Sequence, residues 1–440
     1  MLNRREAIGA IMYPAAAAAL GAYMPPSRMT AAAIAAAENL TAPPATPEDV
    51  ARDEAFWFQV QQAFTVDRTY INFNNGGVSP SPAIVQEAMK RHLDFSNTCP
   101  PPIALWKLLE PFKESVRQRM ARHWGVDTEE IAFTRNSSES LQICQLGFDL
   151  ESGDEVLTTT QDYPRMLTTF NQRQRREGIV FKKFKIPIPA EDPSELLSLY
   201  ERNITPKTRL ILMSHIINIT GQIMPVKSVV AMARAKNIPV IVDGAHALAH
   251  FGYKIPDLDC DYYGVSLHKW LFAPHGTGLL YVRRDKIKDL WPMMAAEEKL
   301  DSDIRKFEEI GTHPAANTLA IAEALTFHQG IGDANKEARL RYLRDTWANR
   351  LLKFSDKVTL HTSLKPQFSC GIATVQINGV DTQKLADHLY EKHGILVVAI
   401  KHDEFEGLRV TPSVYSTMEE IDRFCSAVEN VIRNGIPAPA

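Results

Sequence analysis

The chain has 440 residues, of which 45% are hydrophobic and 23% are charged, and its formal net charge is −3. This composition is typical of a globular protein with room for two domains. With this net charge we expect no stripe of basic residues on the surface, and therefore no nucleic-acid partner. The five cysteines are scattered, with no CxxC and no zinc-like pairing with histidine, so we expect neither a disulfide framework nor a metal site.

The first 37 residues have the layout of an export signal. Arg4-Arg5 precedes an uncharged, alanine-rich stretch over residues 7–27, and A-x-A cleavage sites follow up to Ala37. The paired arginines indicate the twin-arginine type. We therefore expect a periplasmic protein, or a cytoplasmic one if the leader is not functional. A transmembrane anchor is the alternative, which the alanine content disfavours, and no membrane contact is expected after signal removal.

Residues 38–69 are interpreted as a linker and an N-terminal helix that packs on the smaller domain. The segment 38–50 is polar and broken by prolines, whereas 53–64 has a helical pattern. After residue 69, strands and helices alternate. Strands are predicted at 129–134, 155–159, 179–185 and 209–217, and helices at 140–148 and 226–236.

This alternation predicts a mostly parallel sheet covered by helices on both faces. Residues 278–282 follow Lys269 after a loop too short for a helical crossover, so this strand should pair antiparallel. Toward the C-terminus, helices are predicted at 315–330 and 334–352. Strands at 370–377 and 396–400 and helices at 382–393 and from 417 complete a smaller unit. We thus predict an α/β fold with a large domain over 70–325 and a small C-terminal domain over 326–440.

Two reactive side chains follow predicted strands. Val240-Ile241-Val242-Asp243 ends in a carboxylate, and Ser266-Leu267-His268-Lys269 follows another apolar run. An amine and a carboxylate at neighbouring strand ends are typical of pyridoxal phosphate chemistry. The lysine holds the aldehyde as a Schiff base, and the carboxylate keeps the pyridine nitrogen protonated. Taken singly, an exposed lysine and a capping aspartate would explain the same residues.

With these elements placed, residues 70–432 resemble the class V aminotransferase family of fold type I pyridoxal phosphate enzymes. Within that family the chain looks most like the isopenicillin N epimerase-like branch. The resemblance implies pyridoxal 5′-phosphate as cofactor, Lys269 as the catalytic residue and a small-molecule amino substrate. It also implies the fold type I architecture, with the sheet of the large domain carrying the cofactor.

The family's phosphate ligands correspond to five residues of this chain. Ser137 and Ser138, at a predicted helix start, would bind the phosphate, and free backbone N–H groups there form an anion site. A plain serine N-cap explains these two residues equally well. Ser266 and His268 resemble the second pair of phosphate ligands. Thr312 resembles the residue that reaches the phosphate of the neighbouring subunit, which implies a homodimer with shared active sites.

The resemblance also places four residues around the cofactor ring. Tyr163 would stack on the ring face, and Asp243 would pair with the ring nitrogen. His246 and Asn218 would lie near the phenolic oxygen, although asparagine before glycine is also a common turn residue.

Two further residues would bind the substrate. Arg409 resembles the arginine that clamps the substrate carboxylate, and a surface arginine at a strand edge is the alternative. Asn75 belongs to a loop, Asn74-Asn75-Gly76, that resembles the loop contacting the substrate.

The implied activity is transamination or epimerisation at the Cα–amino group of an amino acid or a derived metabolite, through a quinonoid. Elimination, as in a carbon–sulfur lyase, and a non-catalytic binding protein are the alternatives. The presence of Lys269, Asp243 and Arg409 together disfavours the second. Cysteine desulfurases need a nucleophilic cysteine shortly before the arginine, and residues 394–408 contain none. A Rossmann-type nucleotide binder is disfavoured because no G-x-G-x-x-G follows the first strand.

Overall fold

The structure, a computed structural model, describes residues 27–98 and 100–437. The paired arginines of the predicted export signal lie outside the described residues. The end of that predicted signal belongs to helix α1 (Ser27–Glu38), which packs against the helices formed by residues 54–62 and 83–98. Ala33 and Ala37 of α1 are buried. Within the described part of the chain, no helix is both long and apolar enough to cross a lipid bilayer.

Two helices, α2 (Pro47–Arg52) and α3 (Glu54–Gln62), follow α1. The hydroxyl of Thr46 accepts a hydrogen bond from the backbone N–H of Asp49 at 3.2 Å, and a proline at the first helical position needs no such partner. The segment interpreted as a linker therefore becomes helical before residue 50. Asp53 caps α3 in the same way, and the predicted helix at 53–64 matches α3.

A seven-stranded sheet forms the centre of the larger unit. The short strand β1 (Ile71–Asn72) is not part of this sheet. From one edge to the other, the strands of the sheet are β2 (Ile131–Thr134), β8 (Gly278–Val282), β7 (Tyr262–Ser266), β6 (Val240–Asp243), β5 (Thr208–Ser214), β3 (Glu155–Thr159) and β4 (Val180–Phe184). All neighbouring pairs are parallel except the two made by β8, which are antiparallel. The predicted α/β fold, including the antiparallel strand after Lys269, is confirmed.

Both faces of the central strands of this sheet are buried, which explains why these strands are apolar at consecutive positions, whereas the edge strand β4 is more exposed. In β5, Leu210 and Leu212 belong to one apolar cluster, whereas Ile211 and Met213 belong to another. The helices of the larger unit are α4 (Ala83–Thr98), α5 (Pro101–Ile103), α6 (Glu110–Trp124), α7 (Ser137–Gly147), α8 (Pro164–Glu177), α9 (Pro193–Asn203), α10 (Val226–Arg234), α11 (Ala315–Leu319) and α12 (Ile321–Ile331). A π-helical segment, Ala104–Leu109, joins α5 to α6.

The C-terminal unit is built on a four-stranded antiparallel sheet with its own apolar core. Its elements are α13 (Asp333–Leu351), β9 (Val358–Leu360), β10 (Ala373–Ile377), α14 (Thr382–His393), β11 (Ile395–Leu396), β12 (Val398–His402), β13 (Phe405–Val410) and α15 (Met418–Asn434). The strands lie in the order β12-β13-β10-β9, and β11 pairs in parallel with β1.

Several boundaries differ from the prediction, and two of them do so for clear local reasons. Residues 128–130 form a 3₁₀ turn capped by Asp127, so the strand predicted from residue 129 begins at Ile131. The helix predicted over 315–330 is divided at Ala320 into α11 and α12.

Candidate active site

The carboxyl ends of the parallel strands gather most of the predicted site residues at one edge of the large sheet. Asp243 is the last residue of β6, and Lys269 lies three residues after the end of β7. These strands are neighbours, with Asp243 paired to Gly264. Crevices at this edge of open α/β sheets are where ligands bind.

The amino group of Lys269 meets a histidine. Its Nζ lies 2.9 Å from Nε2 of His246. Burial lowers the pKa of Lys269, the nearby Asp243 carboxylate opposes this shift, and the Arg409 guanidinium adds to it. Burial also lowers the pKa of His246, and the charges of Lys269 and Arg409 act in the same direction. The lowered pKa of Lys269 increases the uncharged fraction of its amine at neutral pH. The uncharged amine is the form that attacks a carbonyl carbon or accepts a proton.

The side chain of Asp243 is held by the backbone of the turn that follows it. One carboxylate oxygen accepts a hydrogen bond from the N–H of Ala245 at 2.9 Å. Burial raises the pKa of Asp243 despite this bond and despite the charge of Lys269. A protonated ring nitrogen placed against the carboxylate would favour its ionised form. The next residue must be glycine, because a Cβ at Gly244 would lie 2.1 Å from Cζ of Tyr263.

The predicted phosphate end is a helix N-terminus next to the end of β7. The side chain of Asn136 caps α7 by accepting a hydrogen bond from Glu139 N–H. The backbone N–H of Ser137 donates to Oγ of Ser266 at 3.0 Å, and that hydroxyl donates to Oγ of Ser137 at 2.8 Å. Ser138 is half-buried on the first turn. The structure therefore brings three predicted phosphate ligands together, with N–H groups and hydroxyls in one cluster.

His268, the fourth predicted ligand of the phosphate, is anchored to the loop before β8. Its Nδ1 lies 3.1 Å from the backbone oxygen of Thr277. Burial lowers the pKa of His268 to about 4, so the ring is neutral at physiological pH. A neutral ring whose Nδ1–H donates to a carbonyl keeps an unprotonated Nε2.

Tyr163 lies at the start of α8, where it is 37% exposed. It is close enough to Arg409 to raise the pKa of that guanidinium, which partly opposes the effect of burial. The neighbouring Asp162 fixes this loop. Its carboxylate accepts hydrogen bonds from the hydroxyls of Thr158 and Thr159 and from the N–H and hydroxyl of Ser214. It thus joins the ends of β3 and β5. This role of Asp162 could not be predicted from the sequence, because an aspartate after a strand is also an ordinary turn residue.

Arg409 reaches the site from β13 of the C-terminal unit. Its Nη1 donates to the backbone oxygen of Asn218 at 3.1 Å, and its Nη2 donates to Oδ1 of Asn74 at 2.9 Å. Burial lowers the pKa of Arg409 to about 10, which leaves the guanidinium charged at neutral pH. Asn74 belongs to the loop Asn74-Asn75-Gly76 that is predicted to contact the substrate, and here it contacts the arginine predicted to bind the substrate carboxylate.

Three buried polar atoms of this site have no hydrogen-bond partner among the described residues. They are Oδ1 of Asn218, Nδ1 of His246 and Nε of Arg409. Buried polar atoms are rarely left unpaired in folded proteins, so this cluster calls for a polar ligand. A carboxylate would satisfy the arginine, and a phenolic oxygen with its neighbours suits the asparagine and histidine. The residues present therefore fit pyridoxal 5′-phosphate and an amino-acid substrate.

Asn75 and Thr312 lie differently from the others. The amide of Asn75 is fully buried and already bonded, donating to the backbone oxygens of Asn72 and Thr411 and accepting from the hydroxyl of Tyr415. Its predicted contact with substrate stays a prediction. Thr312 is exposed and lines a surface cavity of about 450 Å³ with residues of α6 rather than the site around Lys269.

Comparison with known proteins agrees with this geometry. The aminotransferase class V family model matches residues 73–424. The chain is 29% identical to isopenicillin N epimerase from Streptomyces clavuligerus over 85% of this chain and 98% of the relative. It is 27% identical to a probable cysteine desulfurase from Vibrio cholerae, over 72% of this chain and 82% of that one.

Solved structures with this fold include a C-DES mutant carrying glycine covalently linked to its pyridoxal phosphate. Its TM-score is 0.74 at 23% identity, covering 83% of this chain and 98% of the other. The Escherichia coli cysteine desulfurase gives a TM-score of 0.74 at 21% identity, covering 85% and 98%. The chain therefore belongs to the class V aminotransferase family, and its cofactor is pyridoxal 5′-phosphate.

Proposed function

We propose that this enzyme removes the Cα proton of an amino acid or amino-acid-derived metabolite and completes either an epimerisation or a transamination. One observation carries the proposal. The guanidinium of Arg409, whose buried Nε has no hydrogen-bond partner among the described residues, lies close enough to Lys269 for its charge to lower the pKa of that amine. An arginine placed there binds the α-carboxylate and orients the Cα–H bond toward the amine.

The cofactor, when bound, supplies an electron sink for the bond broken at Cα. The residues supply the rest. Arg409 holds the carboxylate through two N–H groups, and Asn74 and the backbone of Asn218 fix the guanidinium. Lys269 has a lowered pKa and can take the Cα proton at neutral pH. His246, 2.9 Å away, is placed to hold the amine in position while it does so.

Cysteine chemistry has less support. Burial raises the thiol pKa of Cys260 to about 12 and that of Cys370 to about 11, and Cys144 and Cys425 are shifted the same way. All four described cysteines are buried. The β12–β13 hairpin, whose second strand carries Arg409, contains no cysteine. A persulfide-forming desulfurase requires an accessible thiolate, so the epimerase-like relatives are the better guide.

The test begins with the visible spectrum of the purified protein, before and after a pool of amino acids is added. If the protein shows no visible absorption band, and added pyridoxal phosphate restores none, the catalytic proposal is wrong and a non-catalytic binding protein is favoured. Incubation in D₂O then follows. Deuterium at Cα with inversion supports epimerisation, and a 2-oxo acid with a bleached band supports transamination. Pyruvate and ammonia released together with sulfide from cysteine, or with cysteine persulfide from cystine, would instead establish a carbon–sulfur lyase, and alanine with sulfide in the presence of an added thiol reductant a desulfurase.

We further propose that the enzyme acts as a homodimer whose partner completes the phosphate site. Two observations support this. Thr312 is exposed in its own chain. Trp106, which lines the same cavity as Thr312, is 61% exposed, and Phe112, close to Trp106 in the sequence, is 60% exposed. Large apolar side chains grouped on a surface indicate an interface. Light scattering should give twice the monomer mass, and Phe112→Glu should reduce it. Thr312→Val should weaken pyridoxal phosphate binding without changing that mass.

Export by the twin-arginine route is likewise our proposal. It rests on Arg4-Arg5 and the alanine-rich stretch behind them. The burial of Ala33 and Ala37 in the contact of α1 adds a constraint. Cleavage after Ala37 would remove that helix, so we expect any mature N-terminus to lie upstream of Ala33. Cell fractionation, Arg4→Lys/Arg5→Lys exchange and intact-protein mass spectrometry test the route and the position.

A further inference from the structure

A second cluster of reactive side chains lies outside the active site, where three helices meet. His123 is near the end of α6, His328 is in the last turn of α12, and Asp333 begins α13. Their ligand atoms all lie within 4.8 Å of one another. We propose that these three side chains form a binding site for one divalent transition-metal ion of the zinc class.

The separations suit such an ion. Oδ1 of Asp333 lies 2.5 Å from Nε2 of His328 and 3.5 Å from Nε2 of His123. Ligand atoms around tetrahedral zinc, at about 2.0–2.1 Å from the metal, are separated by about 3.3 Å. The three ligand atoms lie within 4.8 Å of one another, and the side chain of Asp333, which is 36% exposed, would have to move away from His328 for all three to surround one ion.

The donor types select the class of metal. Two imidazole nitrogens and one carboxylate oxygen are ligands of zinc, cobalt and iron, whereas magnesium and calcium prefer oxygen alone. The charge of the surroundings opposes any cation. Arg119, Arg122 and Lys254 line a cavity of about 340 Å³ together with His123. Binding would therefore depend on the bonds from the imidazole nitrogens and the carboxylate rather than on the charge of the surroundings.

Nε2 is the nitrogen of His123 that faces the cluster and is the candidate ligand atom. Nε2 of His123 is buried without a hydrogen-bond partner among the described residues, and 3.5 Å is too far for a hydrogen bond to Asp333. The side-chain amide of Gln329 lies 3.3 Å from Nδ1 of the same ring. With the amide nitrogen facing the ring, Nδ1 accepts and the ring proton lies on Nε2, so metal binding requires the amide to turn its oxygen toward an Nδ1–H and leave Nε2 unprotonated. The indole of Trp124 packs on both imidazoles, with centroids 4.4 and 6.1 Å away.

The site has one open side. His328 is 1% exposed, so the metal would be closed off there, while the exposed edge of Asp333 faces solvent. Three protein ligands leave one tetrahedral position for water or for an anion attracted by the neighbouring basic side chains. Residues 123 and 328 are far apart in the chain, which explains why ligand spacing in the sequence gave no indication of this site.

Metal binding would join the large unit to the helix that leads into the C-terminal unit. α13 begins at Asp333, and one turn later Lys336 donates a hydrogen bond to the backbone oxygen of Trp270, the residue after Lys269. A metal at the start of α13 would therefore stabilise the fold near the loop of the active-site lysine. It would bind only the folded protein, so it should raise the melting temperature.

The experiment uses the full-length enzyme loaded with pyridoxal phosphate, dialysed against a chelator and then titrated with zinc or cobalt. We expect one equivalent of bound metal per chain by elemental analysis and a rise of a few degrees in melting temperature. Cobalt should give the long-wavelength absorption of a tetrahedral site. His123→Gln, the more exposed of the two histidines, should lose at least tenfold in affinity, and Asp333→Asn should behave alike. His313→Gln, on a surface loop, is the matched control.

Two results would overturn the proposal. One is a wild-type protein that binds no stoichiometric zinc and melts at the same temperature with or without it. The other is a folded His123→Gln protein that binds zinc as tightly as the wild type. In either case the three side chains form a hydrogen-bonded contact between helices and no metal site. His123 is chosen for the substitution because its side chain is 13% exposed, whereas that of His328 is 1% exposed.

Discussion

Nζ of Lys269 lies 2.9 Å from Nε2 of His246, and burial lowers the pKa of both groups. The lysine loop and the histidine turn are thus fixed against each other before any ligand arrives. Such a contact keeps the amine at the end of β7 and beside the carboxylate at the end of β6. This arrangement makes Lys269 the first residue to test.

Replacing Lys269 by alanine should leave a folded protein that no longer bonds the cofactor covalently. We expect turnover to fall by about 10²–10⁴, since a positioned general base contributes that much. Borohydride treatment followed by peptide mass spectrometry should modify residue 269 in the wild type and no lysine in the variant. Lys227→Ala, on an exposed turn of α10, is the control and should behave as the wild type. Equal turnover by both variants would refute the role of Lys269.

Arg409→Gln should impair substrates that carry a carboxylate. Truncating one partner of a buried charge pair costs about 2–5 kcal/mol, so kcat/KM should fall by roughly 30-fold or more. The loss should be smaller for the corresponding amines without a carboxylate. Steady-state kinetics with matched amino-acid and amine substrates measure the difference. An equal loss for both substrate types would mean that Arg409 acts on the fold and does not bind the carboxylate.

Gly244→Ala should destabilise the enzyme and disturb Asp243. A Cβ at this position would lie 2.1 Å from Cζ of Tyr263, so strand β6 or the tyrosine ring must move. Overpacking of this kind costs roughly 1–3 kcal/mol, and denaturant unfolding measures it. At Gly252 the nearest atom to an added Cβ is 3.5 Å away, so Gly252→Ala is the matched control. Similar stability in the two variants would contradict the close packing against Tyr263.

The architecture could be predicted from the sequence because most strands of the large sheet are recognisable from short stretches of the chain. Strand β6 is apolar at three consecutive positions and ends in Asp243, and that pattern is visible without any tertiary information. The motif that ends in Lys269 is equally local. Its pairing with β8 followed from the length of the connecting loop.

Contacts made across the chain could not be predicted in the same way. Asp162 joins two strand ends through hydroxyls that lie both beside it and 52 residues later, at Ser214. Asn74 meets Arg409 only because β1 and its loop pack on the C-terminal unit. Such partners depend on how the elements are arranged in space, and no local spacing encodes them. The same holds for the histidines and aspartate of the proposed metal site.

Lys336→Met should affect the active site more than it affects stability. Lys336 is fully buried, its ammonium donates to the backbone oxygen of Trp270, and burial lowers its pKa to about 7. Losing a hydrogen bond from a charged group costs about 1.5–3 kcal/mol, which the removal of a buried charge offsets. We expect kcat to fall about tenfold and the pH titration of the cofactor's visible band to shift. An unchanged titration would exclude a positioning role.

His215→Gln should make the enzyme less sensitive to acid. Burial lowers the pKa of His215 from 6.5 to about 3, and its Nδ1 lies 2.9 Å from the hydroxyl of Tyr263. Between these two pKa values the unfolded chain binds a proton at this ring that the folded protein does not. The stability that the neutral ring contributes is therefore present above pH 6.5 and is lost as the pH falls toward 3.

The expected contribution to the slope is up to about 1.4 kcal/mol per pH unit within that window, and the glutamine variant should lack it. Free energies of unfolding measured in denaturant at several pH values between 4 and 7 give the two slopes. Tyr263→Phe separates the causes, because it removes the hydroxyl contact but keeps the titrating ring. That variant should be less stable at every pH and should keep the wild-type slope. If His215→Gln kept the wild-type slope as well, the acid sensitivity would have to come from other buried groups.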